Sequence, residues 1–417
     1  MTTKTLSSVS STALSDIRDE WPGITGLCIE ADRLPLTHHS GRIRNGAAAF
    51  RRIWKQRHKI GITRVTDITE LDRFGIPVVA CIRPLVNAAQ ITTTQGKGLR
   101  FIDAAAAAVM EAVERHSAAS YMKFTLGTLQ HFKAAKIPHL GPKELMKTWP
   151  DNSPIEWVSG VNLKTGEHVF VPAADVVFPY FAPHGAIRPV RPSTTGLSSG
   201  STTAEAILNG LFEVIERDAV SKFIAGRAGK LLDLNSVDGE NAKLVERFRR
   251  NGVKLTVIDL SEFAVCPTFR AVSLDSSPAG PRLLIFGQGT HVSPSIALRR
   301  TLLENIQSRA VSVQGSREDL IRNEPYRNTN FEELQMLFEL IRAQACRAGI
   351  NKLEDNAPEN VSIQLLLQME HHKLEAAGYS TVVYTDLTNK DLGIPTVHVN
   401  VPGMIDSVVD PTRGVAC

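Results

Sequence analysis

One pattern recurs three times along the chain and limits what it can fold into. Glu111-Ala-Val-Glu114-Arg115 returns as Glu213-Val-Ile-Glu216-Arg217 and, in altered form, as Glu304-Asn-Ile-Gln307-Ser-Arg309. Each copy follows an apolar residue (Met110, Phe212, Leu303) and lies inside a stretch of helical periodicity. The first two copies are 102 residues apart and the last two 91, too far for a solenoid repeat. The segments are therefore expected to be separate helices that bring similar parts to one site.

Helix geometry says what those parts are. Residues three apart share a face, so Glu111 projects with Glu114, and Glu213 with Glu216. On the second helix Glu205, Asn209, Glu213 and Glu216 fall within about 80° of one another at 3.6 residues per turn. Ile207, Leu208, Leu211 and Ile215 remain to pack. A carboxylate stripe on an apolar helix repels itself unless cations sit close by. Mg²⁺ takes oxygen ligands and bridges carboxylates to nucleotide phosphates. Arg115 and Arg217 suit carboxylates or phosphates. One ExxER alone would be a solvated surface pair. Three on apolar helices leave two readings open, surface pairs or a shared magnesium–phosphate site.

The rest of the chain reads as a mixed α/β (α+β) fold without regular βαβ alternation. Helices are expected near 101–120, 203–224, 295–313, 329–350 and 359–378. Strands are expected near 76–82, 155–163, 168–171, 254–260, 267–274, 282–287, 380–386 and 396–401, with a Pro- and Gly-rich connection over 178–196. The basic stretch Arg51–Lys59 fits a helix with a solvated face.

Composition excludes several function classes. Lys and Arg total 47 against 43 Asp and Glu, a net charge of +4, and aromatics are 6%, a poor match to a nucleic-acid-coating surface. The five cysteines (28, 81, 266, 346, 417) are scattered, as in a reduced cytoplasmic protein without a cysteine metal site. No apolar run approaches the roughly 20 residues that span a membrane. The Ser/Thr-rich start lacks the apolar core of a signal peptide, so residues 1–18 are expected to be a mobile tail.

Other motifs carry less. Gly196-Leu-Ser198-Ser-Gly200 matches GxSxG, but Ile187-Arg-Pro-Val-Arg-Pro cannot be the central strand that a nucleophile elbow requires. A turn leading into a helix and offering N–H and hydroxyl groups to an anion fits better. Gln95-Gly96-Lys97-Gly98 precedes a helix but lacks the leading Gly and trailing Ser/Thr of a P-loop. Gly287-Gln-Gly289-Thr-His291 lacks the last Gly of a dinucleotide fingerprint. His371-His372 is expected to be a surface pair, since neighbours on a helix diverge, and His291 to be structural. No general base stands out.

Several strings together resemble the YcaO family: GITRVTDITELDRFGIPVVACIRP, QGKG, MEAVER, STTGLSSGSTTAEAILNGLFEVIERDA, GQGTHVSPSIALRRTLLENIQSR and DLTNKDLGIPTVHVNVPG, in that order over roughly residues 60–403. The resemblance implies a YcaO-like fold whose three carboxylate-bearing helices converge on a nucleotide site, with ATP and Mg²⁺ as cofactors. It implies that Glu111, Glu114, Glu213, Glu216 and Glu304 are magnesium–phosphate carboxylates. It also implies that Lys97, Ser198, Glu205, Arg217, Gln307 and Arg309 contact the nucleotide.

The implied activity is O-phosphorylation of a backbone amide in a ribosomally made peptide, giving a thioamide or an azoline. An accessory role in ribosomal-protein modification and a non-catalytic peptide-binding role are the alternatives. A TfuA-like or leader-binding partner and a homodimer are the implied assemblies. Two departures stand out. Ala107 replaces a frequent Ser four residues before Glu111, and the chain ends without the proline-rich tail of many azoline-forming members, which points to the thioamide-forming group. The implied layout is a tail (1–18), an N-terminal segment (19–60), a catalytic domain (61–403) and a C-terminal tail (404–417).

Overall fold

The computed structural model describes residues 21–28, 42–43, 45–87, 89–120, 123–276, 283–318, 330–355, 357 and 361–406. The expected tail 1–18, residues 407–417 and Cys417 lie outside the described residues. Fourteen strands occur among those described. They are β1 Arg64–Asp67, β2 Val78–Ile82, β3 Thr93–Lys97, β4 Thr125–Thr128, β5 Pro154–Asn162, β6 His168–Pro172 and β7 Leu197–Ser199, then β8 Lys230–Leu232, β9 Val253–Asp259, β10 Thr268–Asp275, β11 Leu284–Thr290, β12 Ile350–Asn351, β13 Val383–Asp386 and β14 Thr396–Asn400. The helices are α1 Pro22–Leu27, α2 Gly46–Trp54, α3 Phe101–Ala118, α4 Leu129–Ala134, α5 Ala173–Val176, α6 Thr203–Ile224, α7 Gly239–Arg250, α8 Pro294–Gln314, α9 Phe331–Cys346 and α10 Ile363–Ala376.

The strands form three sheets, ordered β1-β2-β3, β11-β10-β9-β8-β12 and β4-β5-β13-β14-β7, with β6 beside β5. Each sheet carries one of the helices expected to be central. The alanines of α3 pack with Val79 and Cys81 of β2. The apolar face of α6 packs on Val397 and Val399 of β14, and α8 on Val257, Phe269 and Ala271. Local chemistry sets the helix ends. Thr202 caps α6 by accepting the Glu205 N–H. Ser293 caps α8 ahead of Pro294, and Gly315 closes it in the left-handed region at φ 67°.

β3, β7 and β11 are all edge strands, and each lies close to its helix through glycine. A Cβ on Gly96 would sit 2.0 Å from the Ala104 carbonyl of α3, and one on Gly287 2.4 Å from the Asn305 nitrogen of α8. Gln95–Lys97 and Gly287–Gly289 thus lie in strands that let a helix approach. Ser198 likewise lies in β7, paired across from Val397, and not in a turn.

Other sequence expectations need correction. α7 was not anticipated, although Asn241, Leu244, Val245 and Phe248 follow helical spacing and are buried. The basic stretch is not merely solvated, since Arg52, Gln56 and Lys59 donate to the carbonyls of Gly393, Leu392 and Asp391. His371-His372 is not a surface pair. His371 is fully buried, and both rings pack edge-on to Trp21, 4.7 and 5.0 Å between centroids.

Gly96→Ala is expected to destabilise the fold by about 1–3 kcal/mol through overpacking. Gly26→Ala, whose Cβ meets nothing within 4 Å, should leave stability unchanged or slightly raised. Urea denaturation of both variants checks this.

Candidate functional site

An edge strand carries N–H groups that no neighbouring strand can take. Here carboxylates take them. The Gln95 N–H of β3 donates to Glu111 Oε2 at 2.9 Å, and the Gln288 N–H of β11 to Glu304 Oε1 at 3.3 Å, both across 16 residues. Beside β7, the Gly196 N–H donates to Glu213 Oε2 at 3.2 Å across 17 residues. Glu114 on α3 crosses to β7, where its Oε1 accepts both the N–H and the hydroxyl of Ser199 at 2.8 Å. The three sheet edges thus face one crevice lined by α3, α6 and α8.

Cations are interleaved with these carboxylates. Lys97 Nζ is 2.8 Å from Glu304, Arg115 is 3.5 Å from Glu111 and Arg217 is 3.7 Å from Glu213. The cations do not neutralise the cluster. Burial, opposed by the Ser199 donors and reinforced by Glu111 and Glu213, raises Glu114 to about 7. Burial, then the charge of Glu304, raises Glu216 to about 8. Burial also raises Glu213. Burial acts the same way on Glu304, but Lys97 and Arg217 bring it below the ordinary value. Burial would lower Arg217, but Glu213, Glu216 and Glu304 raise it. Its Nε has no hydrogen-bond partner.

These features suit magnesium held through phosphate. Part-exposed carboxylates that keep protons offer oxygen ligands once a cation displaces those protons. Arg217 Nε offers a free donor to an oxyanion. Among the described residues no three His, Cys, Asp or Glu side chains form a ready-made metal cage.

A second region adjoins the crevice. Buried Glu205 accepts from the Ser201 N–H at 2.6 Å and the Ile43 N–H at 3.3 Å, with Arg42 at 3.9 Å, so the segment 19–60 reaches the site. Asn209 donates to the Glu205 carbonyl and accepts from Arg300, which also donates to the Thr290 carbonyl. Burial, then the charge of Arg42, lowers Arg300 to about 10, while Glu216 acts to raise it. Arg300 was missed in the sequence, yet it lies four residues before Glu304 and so on the same face. Gln307 is half-buried one turn beyond Glu304. Ser198 is buried in β7.

His291 is buried, with Nδ1 accepting the Ser293 N–H, and is held neutral by burial and by Arg300. Arg309 is the site residue that the structure moves elsewhere. It is fully buried and binds Asp72 through Nε and Nη2 and Asp275 through Nη2. Five residues past Glu304 is about 140° around the helix. Arg309 therefore braces α8 against β10 and the turn after β1.

The family model for YcaO cyclodehydratase, ATP- and Mg²⁺-binding, matches residues 95–405. The chain belongs to the YcaO family. An uncharacterised protein of Methanothermobacter thermautotrophicus is 38% identical to this YcaO chain over 359 residues, 85% of this chain and 92% of that one. A Rhizobium leguminosarum bv. trifolii protein, described as uncharacterised in the tfuA 3′ region, is 29% identical, covering 86% and 87%. YcaO from Methanopyrus kandleri, solved with AMPPCP and Mg²⁺, superposes with a TM-score of 0.74 at 25% identity, covering 92% of this chain and 97% of that one. ATP and Mg²⁺ are thus the cofactors of the family to which the chain belongs.

The raised carboxyls give this YcaO protein a pH signature. Folded chains keep protons on Glu114 and Glu216 that unfolded chains release above about pH 4.5. Their contribution to stability is therefore full below that pH and is lost as pH rises through 7 to 8. Denaturation midpoints of the magnesium-free protein should fall across this window. Glu216→Gln should flatten the slope, and Mg²⁺ with AMPPCP should reduce it.

Proposed function

We propose that the chain uses ATP and Mg²⁺ to phosphorylate the oxygen of a backbone amide in a peptide, allowing sulfur to replace that oxygen as a thioamide. The observation that carries this is the convergence of carboxylates from three helices on one crevice, where they satisfy the edges of three sheets and where burial raises Glu114, Glu213 and Glu216. Glu111, Glu114, Glu213, Glu216 and Glu304 would hold Mg²⁺ with the phosphates. Lys97, Arg115, Arg217 and Arg300 would neutralise phosphate charge, and Glu205, Asn209, Ser198 and Gln307 would position the nucleotide.

ATP supplies the phosphoryl group that turns an amide oxygen, a poor leaving group, into a good one. The residues orient this transfer and screen the charge that builds on the phosphoryl oxygens. The thioamide product is favoured over an azoline by the similarity to a protein from a tfuA region. A TfuA-type partner would then work with the chain on its peptide. No helix among the described residues is long and apolar enough to cross a membrane, and a cytoplasmic homodimer is part of the proposal.

Calorimetry should show AMPPCP binding that depends on Mg²⁺ and weakens about tenfold or more in Glu111→Gln and in Glu213→Gln. Those residues sit on different helices, so a shared loss requires one site. Unimpaired binding in both variants would sink the site assignment. With a peptide, a partner and a sulfide source, mass spectrometry should show sulfur in place of oxygen. Loss of one water would instead mean azoline formation.

A further inference from the structure

Arg83 follows β2 and continues the face on which Val79 and Cys81 pack against α3. It is 1% exposed, and its Nε and Nη2 have no hydrogen-bond partner. These two atoms form the edge of a guanidinium that grips an oxyanion with parallel bonds. The same edge is filled elsewhere in this fold, by Asp72 on Arg309 and by Asp103 on Arg100. On Arg83 it is empty.

The neighbours do not fill it. The ionisable groups that act on Arg83 are Cys81 from β2 and Glu111 and Arg115 from α3, and Arg83 acts in turn on His116. Cys81 is pushed up to about 11 by burial and stays a thiol. Burial, then Arg83, lowers His116, which stays neutral. Glu111 is already shared between the Gln95 N–H and Arg115. Burial lowers Arg83 to about 10, which still leaves it a cation at neutral pH. Glu111, already engaged, is thus the one carboxylate that acts on Arg83, and it is paired with a second guanidinium, Arg115. Glu111 and Arg115 have side chains 23% and 19% exposed, so this end of the crevice opens to solvent.

We propose that Arg83 and Arg115 form an oxyanion subsite beside Glu111 that holds a phosphate group, gripped through Arg83 Nε and Nη2. Its role rests on the nucleotide reading above. The group is either the terminal phosphate of ATP or the inorganic phosphate released after transfer. A peptide carboxylate fits the location less well, because Glu111 adjoins the subsite and magnesium held there would favour phosphate.

The test uses the full chain, with inorganic phosphate as probe at constant ionic strength. Phosphate should raise the thermal midpoint of the wild type, while chloride and acetate should not. Arg83→Met should melt no lower than the wild type without phosphate, and its phosphate affinity should fall about tenfold or more. Arg83→Lys keeps the charge but loses the fork, and it should show the same loss if the methionine variant fails to fold.

Calorimetry then separates the sources. Weaker binding of AMPPCP with Mg²⁺ in Arg83→Lys assigns the subsite to the terminal phosphate. Weaker binding of phosphate to the ADP–Mg²⁺ complex alone assigns it to the released product. Arg83-dependent phosphate binding without any AMPPCP binding would keep the subsite and remove the nucleotide reading. Equal phosphate affinity in wild type and lysine variant, a wild type that binds none of these probes, or acetate binding in place of phosphate would overturn the proposal.

Discussion

The site depends on an unmet hydrogen-bonding requirement. Three sheets turn an edge strand toward the same space, and an edge strand carries N–H groups that water or another chain would otherwise take. Glutamates on the covering helices accept them, Glu111 from Gln95, Glu213 from Gly196 and Glu304 from Gln288. One carboxylate oxygen is thereby spoken for, and the other meets a cation, Arg115 at Glu111, Arg217 at Glu213 and Lys97 at Glu304. The element that secures the fold is therefore the same element that presents the charge. Glu114 ties two of these units together by reaching from α3 to Ser199 of β7.

Close helix–strand approach makes this reach feasible. A glutamate side chain is short, so its helix must lie nearly against the strand edge. Gly96, Gly287 and Gly289 remove the Cβ atoms that would hold α3 and α8 away. The Arg309 brace between Asp72 and Asp275 then fixes the far face of α8. It is a fully buried ion cluster, retained where the orientation of one helix decides the position of Glu304.

The central helices were legible in the sequence because their signals are local. α6 was expected at 203–224 and occupies Thr203–Ile224, since the apolar spacing and the Thr202 cap both lie within the segment. The short edge strands were not legible. β7 has three residues, and β14, its strand partner among the described residues, lies 199 positions away (Val397 opposite Ser198). The carboxylate stripe was visible as a face, but Arg300 was overlooked and Arg309 chosen. Only the angle around α8 separates them, and a motif written as a string hides that angle. The burial of His371 against Trp21 depends on a contact across some 350 residues, which no local pattern reveals.

The position of β14 has a consequence for biosynthesis. It lies between β13 and β7 in the sheet, and among the described residues β7 pairs with no other strand. A nascent chain can complete α3, α6 and α8 while β7 still lacks its neighbour. Until residue 400 has left the ribosome, Ser199 has no fixed place from which to meet Glu114. The crevice would thus be completed late in synthesis, since such long-range pairing is slow to form. Newly made protein would pass through a state in which Glu111 and Glu304 have their strand donors and Glu114 does not yet have Ser199.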